Sequence, residues 1–326
     1  MANRAIVVDP GVAGRLVLRE VGDPEPTQQQ AIVRVAAISL NRGEVNAAMN
    51  RPVGARPGWD LAGTIERVAA DGSGPAVGTR VVGFVPTGNY ERHPTVPNGA
   101  WAERVAVGTA ALAALPDSVS FAQAATLPVA GMTALIAVEH GGALLGRKVL
   151  VGGASGGAGN FAVQLARLGG AHVIGIVRQE AHVEEVQQAG ARTVVVTDDG
   201  KAAAEYGPYD LIVDSVGGAL LGNLLAQIAI DGRVVTFGSS AGAEVTFDLR
   251  PFFLGGGASL YGLILFHEVR RHPASVVLAR LVGLVSEGQL KPQIAVEAPW
   301  EEIATVARDL LDRRFTGKAV LHVGQG

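Results

Sequence analysis

Residues 148–166 read KVLVGGASGGAGNFAVQLA, and no other stretch restricts the fold of this chain so tightly. The apolar run from Val149 to Val151 has the length of a buried strand. Beyond the glycines, Ala158, Ala162, Leu165 and Ala166 fall on one helical face. Gly153, Gly156 and Gly159 recur every third residue where the strand hands over to the helix. A dinucleotide-binding turn needs glycines for its tight bend, for close approach of the backbone to a pyrophosphate, and for packing of helix on strand. Gly157 and Ala158 complete the turn, and the free N–H groups and dipole of the helix start suit an anion. Gly169 and Gly170 end the helix, and residues 173–177 (VIGIV) follow as a second parallel strand. A phosphate loop of the Walker type needs Lys-Ser or Lys-Thr after its last glycine; Asn160 and Phe161 stand there instead.

The alternation continues with helix 180–188, strands 193–196 and 211–214, helix 219–229, and strands 233–237 and 259–263. This order predicts a doubly wound α/β fold with a parallel sheet. Before it lie short strand-like runs at 5–8, 16–19, 31–38, 61–68, 80–84 and 101–107, separated by turn residues, as in a partly open antiparallel barrel. A helix over 121–140 joins the two regions. The tail holds helices near 274–287 and 300–313 and a strand at 319–323, which we expect to complete the first domain. The resulting division is 1–120 and 263–326 for one domain and 121–262 for the inserted one, with the active site expected in the cleft between them.

Hydrophobic residues make up 48% of the 326 positions, enough for two cores. A net charge of −3, without a basic cluster, gives no reason to expect nucleic acid. The chain has no cysteine, which excludes disulfides and thiolate metal sites. No signal-peptide layout opens it, and its longest apolar segment, 124–138, is broken by Pro128 and Gly131. A cytoplasmic protein without a membrane span is the expectation.

Several blocks resemble the medium-chain dehydrogenase/reductase superfamily, in its zinc-free quinone oxidoreductase branch. They are SLN at 39–41, GWDLAGTIERV at 58–68, VGTRVVGF at 77–84, GAWAERVAV at 99–107 and LPVAGMTAL at 127–135. The glycine turn, DSVGG at 214–218, GRVVTFG at 232–238 and TGKAVL at 316–321 complete the series. The resemblance implies a GroES-like partly open β-barrel catalytic domain beside a Rossmann domain, and a dimer. Zinc-dependent relatives place a cysteine near Asn41 and Gly-His-Glu where this chain has Gly58, Trp59 and Asp60. Tryptophan cannot ligate zinc, Asp60 with scattered histidines is a poor substitute, and a lone loop His93 is an ordinary solvated side chain, so no metal is expected.

NAD-binding units carry an acid about twenty residues beyond the glycines, at the end of the second strand. Here Val177 and Arg178 stand there, and a guanidinium suits the 2′-phosphate of NADPH. Glu180 reads as the first residue of the next helix. The resemblance puts Asn41 opposite the nicotinamide, as a possible amide donor to the substrate oxygen, and Thr133 near the cofactor. Phe237, Gly238 and Ser239 follow the fifth Rossmann strand, and Tyr261 and Gly262 could line the nicotinamide end. Tyr261 reads equally as an interface aromatic. No tyrosine follows Asn41 as in some quinone reductases, which leaves Tyr90 as the candidate acid, or water.

The chain therefore reads as an NADPH-dependent reductase of small electrophilic molecules, quinones or α,β-unsaturated carbonyl compounds. An enoyl-thioester reductase of polyketide-synthase type, to which Arg42, Arg51 and Arg56 would be suited, and a non-catalytic NADPH-binding regulator stay open. The last Rossmann strand is apolar on both faces, so a homodimer through that edge is expected.

Overall fold

The structure is a computed structural model and describes residues 3–87 and 97–324. Its strands are β1 (Asn3–Val8), β2 (Leu16–Val21), β3 (Gln30–Leu40), β4 (Asp60–Arg67), β5 (Arg80–Phe84), β6 (Arg104–Gly108), β7 (Leu112–Ala114), β8 (Lys148–Gly152), β9 (His172–Val177), β10 (Thr193–Val196), β11 (Tyr209–Asp214), β12 (Ile228–Thr236), β13 (Ser259–Gly262), β14 (Ile294–Pro299) and β15 (Lys318–His322). The chain forms two compact units, one of Met1–Met132 with Phe266–Gly326 and one of Thr133–Leu265.

In the second unit all six strands run parallel in the order β10-β9-β8-β11-β12-β13. Strand order reverses between β8 and β11, where doubly wound sheets bind ligands outside the carboxyl ends. The central strands are mostly apolar in their middles because both faces are covered, and Leu150, Ile174, Ile212 and Val234 share one core. The helix Gly157–Leu168 buries Phe161, Ala162, Val163, Leu165 and Ala166.

The first unit carries a seven-stranded sheet ordered β14-β15-β3-β4-β5-β7, with β6 also paired to β3, and a separate β1-β2 hairpin. Every pairing in it is antiparallel except β14 with β15. The tail thus returns to the first sheet, and Trp101, Trp300 and Phe84 are buried in this unit.

Local differences from the sequence reading have physical causes. The expected helix over 121–140 is three pieces: Phe121–Ala125, a wide π turn at Leu127–Gly131, and Met132–Glu139. Pro128 supplies no N–H, which breaks regular helical bonding. The first two pieces belong to the first unit, so the division falls after Met132 and before Phe266, later than 120 and 262. Val129 N–H bonds Asp60 Oδ1 at 3.0 Å, and Gly131 packs close to the Leu281 side chain. The helix expected at 219–229 ends at Leu225, because β12 begins at Ile228. A helix not anticipated, Arg42–Met49, follows Asn41.

Candidate active site

The glycine turn is built by close approach. Gly153 has φ +72°, a left-handed conformation that favours glycine. A Cβ on Gly159 would lie 2.1 Å from the Gly153 carbonyl oxygen, so the helix can reach the strand end only with hydrogen at this position. Gly156 precedes the helix at φ −76°, and it, Gly157 and Ala158 are half-buried at the helix start.

Asp214, at the carboxyl end of β11, ties the neighbouring loops to this turn. It has no solvent exposure. Its Oδ1 accepts from Val216 N–H at 3.1 Å, and its Oδ2 accepts from Gly217 N–H at 3.0 Å and Thr236 Oγ1 at 3.2 Å. Burial raises its pKa, and these three donors oppose the rise. Ser215 Oγ donates to the Gly152 carbonyl at 3.2 Å. Phe237 N–H donates to the Asp214 carbonyl, and a Cβ on Gly238 would sit 2.7 Å from the Ser215 carbonyl. The loops that carry Gly153, Ser215 and Phe237–Ser239 are therefore held together at the carboxyl edge of one sheet. Arg178 follows β9 at that edge, exposed, with no hydrogen bond or ion pair among the described residues. Glu180 opens a short 3-10 turn, Glu180–His182. Thr133 is buried in the first turn of the helix Met132–Glu139. Tyr261 lies in the edge strand β13 with its ring 4.1 Å from that of His140, and Gly262 beside it is exposed.

Asn41 stands in the first unit, at the end of β3, inside a buried polar cluster. Asp60 at the start of β4 and Lys318 at the start of β15 are 0% and 3% exposed. Lys318 Nζ donates to Leu40 O at 2.9 Å and Asn41 Oδ1 at 2.7 Å, and lies 3.4 Å from Asp60 Oδ2. Three acceptors match the three hydrogens of an ammonium. Asp60 Oδ2 also accepts from Ser39 Oγ and Asn41 Nδ2, each at 2.8 Å. Glu44, in the first turn of the helix Arg42–Met49, accepts through Oε2 from the Asn41 N–H and Nδ2, both at 3.2 Å. Its Oε1 is buried without a partner.

Burial raises the carboxyls of Glu44 and Asp60 and lowers the ammonium of Lys318. The attraction between Asp60 and Lys318 opposes both of their shifts, whereas Asp60 pushes Glu44 further up. Two carboxylates and one ammonium would leave a net charge in the interior, which is costly. One additional proton neutralises the set. It belongs on Glu44, since Asp60 already faces the ammonium and three further donors.

Comparison with known proteins matches these two units to two families. Residues 27–117 match the alcohol dehydrogenase GroES-like domain, and residues 157–280 match a family described as zinc-binding dehydrogenase. An acryloyl-coenzyme A reductase of Sulfurisphaera tokodaii is 27% identical over 98% of this chain and 99% of its own length. A quinone oxidoreductase of Sus scrofa is 28% identical over 93% and 92%. The solved structure of the quinone oxidoreductase from Coxiella burnetii is 25% identical and superimposes with a TM-score of 0.82, over 99% of this chain and 100% of that one. The chain belongs to the medium-chain dehydrogenase/reductase superfamily, in its quinone oxidoreductase-like branch.

Among the described residues, the position that holds the zinc motif in zinc-dependent relatives offers no free donor. Asp60 is the one carboxylate at the motif position, and both its oxygens are engaged by Lys318, Asn41, Ser39 and Val129. Trp59 Nε1 instead donates to the Thr87 carbonyl at 2.7 Å, and its ring meets Phe266 edge-on. No group of three or more metal-ligating side chains occurs among the described residues, and no helix among them is long and apolar enough to cross a membrane.

Sequence reasoning missed Glu44 and Lys318 and treated Asp60 only as a failed zinc ligand. The signal for Glu44 was its position three residues after Asn41, the spacing of a capping box. Of the earlier candidates, those of the second unit converge on one sheet edge apart from Thr133, and Asn41 sits in the cluster. Tyr90 lies outside the described residues. Arg42 is turned to structure: Nη1 donates to the carbonyls of Leu310 and Leu311 at a helix end.

Proposed function

We propose that the chain is an NADPH-dependent, zinc-independent reductase of quinones or α,β-unsaturated carbonyl compounds. The observation that carries the cofactor reading is Arg178, an exposed and uncommitted guanidinium just beyond the strand that follows the glycine turn. Gly156, Gly157 and Ala158 would hold the pyrophosphate at the start of their helix, with Arg178 on the 2′-phosphate. Phe237, Gly238, Ser239 and Thr133 would border the rest of the cofactor, and Tyr261 and Gly262 its nicotinamide end. When bound, the reduced nicotinamide supplies a hydride. Asn41 is our candidate for the reacting end of the site and Tyr90 for the proton donor, with water as the other source.

A second reading, an enoyl-thioester reductase, gains support from Arg56. Its guanidinium has a buried Nε without a partner, and burial lowers its pKa. An anionic carrier arm would answer that need. We also propose a homodimer through β13, an edge strand whose Leu260 is 46% exposed.

Titration with NADPH and NADH, followed by a quinone, an enone and an enoyl thioester under absorbance, tests the reading. Preferred NADPH binding, weakened about tenfold or more by Arg178→Ala, with oxidation on adding a quinone or enone is the expected result. Oxidation by the thioester alone would move the assignment to the second reading. Binding without turnover on any acceptor would favour a regulatory nucleotide-binding protein, and preference for NADH would overturn the role of Arg178.

A further inference from the structure

Asn98–Gly99 is the chain's one Asn-Gly pair, and packing dictates its second member. Gly99 is buried, and a Cβ there would lie 2.2 Å from the Pro57 carbonyl oxygen, so no side chain fits. From Gly99 onward the segment is anchored to residues 56–58. Gly99 N–H donates to Arg56 O at 3.0 Å, Ala100 N–H to Gly58 O at 2.9 Å and Trp101 N–H to Pro57 O at 3.3 Å. Trp101 is in the core. Asn98 lies just outside this anchorage, exposed, and meets Arg56 in an isolated parallel bridge. Directly paired residues of a bridge project from the same side of the pleat, so Asn98 and Arg56 are side by side. Arg56 is half-buried, its Nε has no partner, and no carboxylate among the described residues pairs with its guanidinium.

We propose that Asn98 is a site of spontaneous deamidation and that its aspartate product ion-pairs with Arg56. A following glycine leaves the backbone nitrogen unshielded by a side chain. The Gly99 nitrogen attacks Asn98 Cγ; the N–Cγ bond forms, the Cγ–Nδ2 bond breaks, and the Gly99 amide proton leaves with Nδ2 as ammonia. Water then opens the cyclic imide. Its hydroxyl adds to Cγ and its proton returns to the Gly99 nitrogen, which leaves an aspartate; addition at the main-chain carbonyl leaves an isoaspartate instead. The attack requires the Gly99 N–H to be released from Arg56 O. An isolated bridge has no adjoining rung, so it opens locally while the sheets stay closed. The aspartate carboxylate then stands on the side of the bridge that carries Arg56, and gives a half-buried guanidinium its counter-ion. Arg56 is thereby closed to an external anion. The inference is independent of the cofactor reading, and its failure would leave that reading untouched.

The test begins with the full chain held in mildly alkaline buffer, folded or unfolded in urea, while peptide mapping by mass spectrometry follows conversion of the Asn98 amide to an acid. We expect conversion in the folded protein, at least about tenfold slower than in urea because the bridge must open first. Asn98→Gln, whose longer side chain closes the ring poorly, should block it. Conversion in urea with none in the folded protein would overturn the site, since the bridge would then shield it. The ion pair is read from urea unfolding of Asn98→Asp in the wild-type and Arg56→Met backgrounds. The substitution should raise the folding constant about two- to fivefold more where Arg56 is present. Equal effects in the two backgrounds would overturn the pairing. Salt supplies a reading that leaves Arg56 in place: the advantage of Asn98→Asp over wild type should shrink as ionic strength rises. No advantage at low salt, or one indifferent to salt, would also overturn it.

Discussion

Two aspartates with no solvent exposure, Asp60 and Asp214, show two ways of burying a carboxylate. Asp214 closes its hydrogen bonding locally, with the N–H groups two and three residues ahead and the hydroxyl of Thr236 on the adjacent strand. Asp60 relies on an ammonium 258 residues away, with side chains from β3 and an N–H from the π turn. The first arrangement is a property of a turn and shapes a backbone surface. The second is a property of the assembled unit and fixes the polarity of one side chain, Asn41.

The sharpest way to break this comparison is Lys318→Met. It leaves Asp60 buried without its cation, and we expect a loss of about 3–5 kcal/mol in urea unfolding. Adding Asp60→Asn should restore most of that stability, because the orphaned charge is then gone. A single-variant loss below about 1 kcal/mol would show that the pair is not ionised.

Asp214→Asn should cost less, about 1–3 kcal/mol, since it turns an NH2 toward backbone donors but strands no counter-ion. Equal losses for Asp214→Asn and Lys318→Met would erase the distinction between the two sites.

Glu44→Gln should change stability least and its pH dependence most. The folded Glu44 carboxyl, raised by burial, keeps its proton at pH values where the unfolded one has lost it. The native state then binds more protons, so stability falls as pH rises from the ordinary carboxylate range toward the folded pKa. In the variant the slope above the ordinary carboxylate range should be shallower. The remainder belongs to Asp60 and Asp214, raised in the same direction, while lowered Lys318 contributes the opposite sign nearer its own range. An unchanged slope would place the cluster's additional proton elsewhere.

The same contrast governs what the sequence made legible. Gly153 and Gly159 could be found from spacing, because their constraint lies within one turn, and β5 and β10 could be bounded because turn residues flank short β-branched runs. The helix Arg42–Met49 carries no strong apolar stripe, which hid it. The break at Leu127–Gly131 follows from Pro128, yet the apolar run around it reads as continuous helix. Asp60, Glu44 and Lys318 have no mutual spacing to detect. For Asp60 and Lys318 the one-dimensional trace is a charge at the edge of an apolar strand, which most often marks a strand end facing water; for Glu44 it is only the spacing of three from Asn41.

Lys318 also sets an order of events at the ribosome. The whole of the unit Thr133–Leu265 is synthesised before it, and that unit contains every strand of its own sheet. Domains generally fold as units during synthesis, so the inserted unit can close while Asp60 still lacks its cation. β15 carries that cation and pairs with β3. The residue that orients Asn41 thus doubles as a latch on the unit into which the other is inserted, and a nascent chain halted before it would expose the acidic end of β4 to the cell's quality control.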